Sequence, residues 1–170
     1  MFSVGDMVVY GGQGVCKITT VEKKKIAGEM KEYFVLKPVY DERNTIFVPL
    51  DNEALFSRLH KILTVDEAKK LIRDIPEEAS IWVEKETERK ECYKKIISGG
   101  DRGDISRMVK TLRDRRETLK DSGKKLHSAD ERFLKEGVRL LCDEMAVVLS
   151  IEPKQVLELI RESIAKCSNA

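Results

Sequence analysis

Apolar residues come in short, turn-bounded bursts over the first fifty positions and switch to a helical period near Leu63. Met7-Val8-Val9-Tyr10 is the first burst, and Gly11-Gly12-Gln13-Gly14 turns the chain into a second, Val15 to Val21. Lys23-Lys24-Lys25 and Gly28 mark the next reversal. Tyr33 to Val39 and Thr45 to Pro49 follow, separated by Asp41-Glu42-Arg43-Asn44. Runs of β-branched and aromatic residues spaced by Gly and Asx turns predict four strands of a small sandwich or barrel.

Thr64 and Glu67 fit a capping box that opens a short helix, and Pro76 ends it or starts another at Glu77. A helix is expected from Glu77 to Ile97, closed by Ser98-Gly99-Gly100. Asp104 is positioned to cap a third, with Ile105, Met108, Val109, Leu112 and Leu119 inward, and Gly123 breaks it. Ser128-Ala129-Asp130-Glu131 reads as a second capping box before a face of Leu134, Val138, Leu141, Met145 and Val148. Pro153 opens the last helix, with Val156, Leu157, Ile160 and Ile164 inward. The pattern predicts a β domain over residues 1–53, a linker over 54–63 and a five-helix bundle over 64–167.

Charge changes the picture only when it is divided along the chain. The formal total is +2, yet residues 89–126 carry 13 basic and 6 acidic groups. A basic stretch of this kind suits a phosphate-contacting surface, and equally a solvated helix face. No apolar run is long enough to span a bilayer, and no leader precedes the first strand, so a cytoplasmic protein is expected. Cys16, Cys92, Cys142 and Cys167 are far apart and read as reduced thiols.

Catalytic chemistry finds little support. Gly11 to Gly14 lacks the Gly-Lys-Ser/Thr ending of a phosphate loop and reads as a tight hairpin. His60 and His127 stand apart from any nucleophile or metal-ligand set, so neither an enzyme nor a metal or other cofactor is expected. Trp82 is the only tryptophan. On a continuous helix it would share a face with Lys85, Glu86, Arg89 and Tyr93, arranged to wedge at a base step while cations hold phosphates. The same residues could instead seal the bundle, with Lys85 and Arg89 snorkelling past the ring. Lys124, Lys125 and Arg132 flank the start of the following helix, a natural anion site or simply a solvated turn.

The strand motifs V-G-D-x-V-V-Y-x-x-x-G-V, G-E-x-K-E-Y-F-V-L-K and I-F-V-P-L resemble the N-terminal domain of the CarD/CdnL family of bacterial transcription regulators. The transcription-repair coupling factor has the same domain. Ile81-Trp82, Arg89-Lys90 with Tyr93, Ser98-Gly99 and Lys124-Lys125-Leu126 extend the resemblance into the helical half. It implies an α+β multidomain chain with a Tudor/SH3-like β-barrel ahead of the bundle. It also implies a monomer, when free, that binds the RNA polymerase β subunit and promoter DNA at the upstream edge of the bubble. DNA contact would be in the minor groove, largely independent of sequence, stabilising the open complex and bringing the protein to the nucleoid through polymerase.

Lys23, Lys24, Lys25, Ile26 and Phe47 are then the polymerase-facing residues. Trp82, Lys85, Arg89, Lys90, Lys124, Lys125 and Arg132 are the DNA-facing ones. Two departures stand out: Phe47 occupies a position where the family often has Arg, and Arg89-Lys90 follow Trp82 by two helical turns rather than directly. The alternative is an adaptor whose barrel binds another protein and whose bundle is only a scaffold.

Overall fold

A computed structural model describes residues 1–169. Five strands, β1 (Met7–Tyr10), β2 (Val15–Ile26), β3 (Glu29–Pro38), β4 (Ile46–Pro49) and β5 (Leu59–Lys61), form one antiparallel sheet in the order β4-β3-β2-β1-β5. Val8, Cys16, Ile18, Leu36 and Val48 form its buried face. The expected closed barrel is not formed: β4 and β5 are opposite edges of an open sheet. The chain between them forms a one-turn helix, α1 (Glu53–Phe56). From α1, Phe56 stacks on Phe34 and meets Phe2 edge-on, covering the sheet's core.

The expected linker is also corrected. Residues 54–63 contain most of α1 and all of β5, whose Leu59, His60 and Lys61 pair with Tyr10, Val9 and Val8. Leu59 is the one apolar residue in Ser57-Arg58-Leu59-His60-Lys61, so this strand gives no alternation to read.

Five helices follow: α2 (Val65–Asp74), α3 (Glu86–Gly99), α4 (Arg102–Asp121), α5 (Ser128–Leu149) and α6 (Pro153–Ser168), making six α-helices with α1 among the described residues. Their core is aliphatic, with Met108, Leu112, Leu141, Met145 and Val156 fully enclosed around Tyr93. The Thr64 capping box forms as expected, and Pro153 opens α6 beside a Glu152–Gln155 box. Among the described residues no helix is long and apolar enough to cross a membrane.

Three helix starts differ from expectation, each because a polar side chain has another partner. Helix α3 begins at Glu86, not Glu77; only a 3₁₀ turn, Ile75–Glu77, precedes it. Residues 78–85 are held by tertiary bonds that replace helical ones. The Ile81 N–H donates to Thr111 Oγ1 at 3.0 Å, and the Val83 and Glu84 carbonyls accept from Arg89. Asp101 rather than Asp104 caps α4. At α5 the expected box is missing, because Ser128 is already helical, His127 precedes it without a side-chain cap, and the Glu131 carboxylate accepts from Arg116.

The β module and the bundle share a joint. A 3₁₀ turn, Gly11–Gln13, sits on the end of α3. Gly11 has φ +43°, and a Cβ there would strike the Ser98 carbonyl. His60 Nε2 donates to the Gly99 carbonyl at 2.8 Å, and Arg139 to that of Gly12 at 3.1 Å. Buried Glu144 accepts from Leu63 N–H at 3.0 Å and from Arg102, which also donates to the Lys61 carbonyl.

Candidate functional site

Beyond Glu32, strands β2 and β3 pair only with each other and form a two-stranded arm. The arm reverses at Ala27-Gly28, both at positive φ (50° and 86°), as a two-residue hairpin turn of this hand requires. Lys23, Lys24 and Lys25, expected in a turn, therefore lie within β2 and alternate between its faces. Lys24 Nζ stands 3.4 Å from the ring centre of Phe47, which meets Tyr33 edge-on at 6.4 Å. Phe47 lies outside the sheet's core and is 38% exposed. Lys23 pairs with Glu32 at 3.3 Å, and Lys25 lies across from Met30. Ile26 and Met30 make the arm's tip apolar and exposed.

Strand β4 is a free edge. The Leu50 N–H donates inward to Glu32, so by antiparallel alternation the Phe47 N–H and carbonyl point outward. The face thus combines an aromatic–cation platform with unpaired main-chain groups, the two requirements for adding a partner's strand.

Trp82 lies in the extended segment before α3, so the shared helix face expected from the sequence does not exist. Its ring is partly buried on the bundle core and packs against two guanidiniums, Arg89 at 4.2 Å and Arg115 at 4.6 Å from the ring centre. The indole N–H is enclosed without a partner, while the ring borders a shallow pocket with Ser80, Asp114 and Thr118. Arg89 is corrected from phosphate ligand to core residue. It is 3% exposed, forks onto Asp130 (1% exposed) at 2.8 and 3.0 Å, and cannot reach a phosphate. Tyr93, expected on the same outward face, is fully buried; its hydroxyl donates to the Ile81 carbonyl at 3.3 Å. Burial, then Asp130, pushes that phenol up to about 12.

The remaining cations divide. Lys85, exposed just before α3, pairs with Glu88, and half-buried Lys90 on α3 pairs with Glu86. Within the basic stretch Lys94, Arg102, Arg107, Lys110, Arg113 and Arg116 also pair with carboxylates. Lys124 and Lys125 are exposed at the α4–α5 turn and make no ion pair among the described residues. Arg132 lines a groove between the modules with Tyr10 and Lys94. The residue missed from the sequence is Arg115; its signal was the Arg113-to-Arg116 run, of which it alone faces Trp82 without a carboxylate partner.

The chain thus joins an open β module with an aromatic edge to a bundle that packs its tryptophan against two guanidiniums, two candidate surfaces on separate modules. Residues 2–63, the β module, match the model of the CarD-like/TRCF RID domain. The matched range ends just past β5, where the sheet ends. Over 160 residues the chain is 24% identical to "Putative transcription factor YdeB" of Bacillus subtilis (strain 168), covering 92% of this chain and 97% of that relative. Residues 2–63 therefore carry the domain that the strand motifs resemble.

Proposed function

We propose that this chain is a non-enzymatic transcription regulator that binds the β subunit of RNA polymerase through its β module. The Trp82 end of its bundle meets promoter DNA in the minor groove at the upstream edge of the bubble. The observation that carries this reading is the free β4 edge beside Lys24 and Phe47, within a CarD-like/TRCF RID domain. A partner strand added at β4 would gain main-chain bonds from Phe47, with Lys24 and the Ile26 tip fixing its side-chain preference. Arg115, Lys120, Lys124 and Lys125 make no ion pair among the described residues and supply phosphate contacts near the tryptophan's end of α4. The regulator would favour opening only by preferring the distorted, opened DNA to the closed form. A partly seated indole that fits an unstacked step better than regular duplex meets that need.

Two measurements test the two contacts. Immobilised polymerase β subunit should retain the wild-type chain and lose Phe47→Asp, a change outside the hydrophobic core. Equal retention would remove the β4 face from the interface. Affinity for a short duplex should fall with salt at a log–log slope of about −3 to −4, as four phosphate contacts require. A slope near zero would favour the adaptor, a reading that the many internal ion pairs of the basic stretch otherwise support.

A further inference from the structure

The groove between the two modules has chemistry that neither proposed surface uses. It has a volume of about 680 Å³, within the range of small-molecule sites, and lies between the Gly11–Gln13 turn and helices α3 and α5. Tyr10, Ile97 and Phe133 give it apolar lining, and Arg58, Lys94, Arg132, Lys135 and Arg139 are its cations. On α5, Arg132, Lys135 and Arg139 recur at steps of three and four and so share one stripe.

Arg139 is already committed, to Glu136 at 2.6 Å, Asp143 at 3.3 Å and the Gly12 carbonyl at 3.1 Å. It neutralises Glu136, the one carboxylate bordering the groove. Arg58, Arg132 and Lys135 make no ion pair among the described residues, and Lys94 reaches only exposed Glu91 at 3.7 Å. Cations gathered around one concavity repel each other until an anion lies among them. Both modules supply them: Arg58 comes from the β side, the others from the bundle.

We propose that this groove binds a nucleotide with two or more phosphates. The phosphates lie among Arg58, Arg132 and Lys135, and the base rests against the surface of Tyr10, Ile97 and Phe133. Guanidiniums favour phosphate oxygens through paired, charge-assisted hydrogen bonds, and the aromatic lining distinguishes a nucleotide from a bare polyanion. A ligand touching both walls also braces the joint.

Calorimetric titration of the full-length protein with ATP and with GTP, beside tripolyphosphate and adenosine alone, tests this. The expected result is saturable nucleotide binding, with tripolyphosphate about tenfold or more weaker, as loss of base stacking implies. Nucleotide should raise the melting temperature, since it binds only the folded chain. Arg132→Ala with Lys135→Ala, both exposed, should weaken ATP at least tenfold with an unchanged circular dichroism spectrum. The Arg132→Lys variant should retain part of the affinity, and Lys154→Ala on α6 should retain all of it. Four outcomes overturn the proposal: no heat at millimolar nucleotide, unchanged affinity in the double variant, equal loss in Lys154→Ala, or tripolyphosphate as tight as ATP. A duplex whose binding depends on Arg132 and Lys135 while ATP gives no heat would assign the groove to DNA instead. None of these arms uses polymerase, so failure here leaves the proposed function standing.

Discussion

Arg89 and Asp130 are nearly without solvent, and their pairing fixes where Trp82 lies. Arg89→Met would leave a carboxylate buried alone and free the Val83 and Glu84 carbonyls, a loss of about 3–5 kcal/mol. Adding Asp130→Leu should recover most of it. Urea unfolding of the two variants checks this; a single-variant cost below about 1 kcal/mol would contradict the clamp. At Lys24 the prediction is opposite in kind. Lys24→Glu removes an exposed cation–π contact and should change stability by no more than about 1 kcal/mol while weakening polymerase binding.

The cysteines give a pH-dependent test. Burial pushes the Cys16 thiol up to about 12 and Cys142 up to about 11, from an ordinary 9.0. The folded chain holds these protons where the unfolded chain releases them, so their stabilisation is full below 9.0 and is lost as pH rises through the folded values. At pH 8 a thiol reagent should modify exposed Cys167 first and reach Cys16 and Cys142 only on unfolding. Prompt native-state labelling of Cys142 would contradict its burial.

Among the elements, the four principal strands and the α2, α4, α5 and α6 helices were legible, because apolar period and turn residues agree in each. The start of α3 was not. Residues 77–85 have nothing against a helix except Pro76, and what unwinds them, Arg89 and Thr111, lies outside the segment. Strand β5 was hidden for the opposite reason: it carries one apolar residue and is defined by its pairing with β1. The Gly11–Gly14 run read correctly as a turn, but the need for glycine comes from Ser98, almost ninety positions away. Gly11→Ala should cost about 1–3 kcal/mol through a strained φ and the clash. Amide exchange should rise at Ser98 to Gly100, where unchanged protection would mean that the joint is not tight there.

At the scale of the molecule, the sequence located the candidate sites better than it assigned their members. Trp82, Lys24 and Phe47 stand where a partner could meet them, whereas Arg89 is internal and Arg132 belongs to another groove. Clustered charge in a sequence does not reveal which cations are already paired in the fold. Packing across the joint also changes how the halves should be separated. A fragment ending at residue 60 cuts β5, so residues 1–63 should fold with well-dispersed proton resonances and residues 1–60 should be markedly less stable.

If the β module seats the protein on polymerase while Trp82 stabilises the opened promoter, open-complex lifetime depends on the indole. Trp82→Ala should cost about 1–3 kcal/mol of folding stability, less than a fully buried aromatic, because the ring is only partly enclosed. With polymerase binding measured in the same mixture and folded fraction corrected, the variant should bind polymerase as wild type does and shorten the lifetime severalfold. An unchanged lifetime at equal polymerase occupancy would contradict the account.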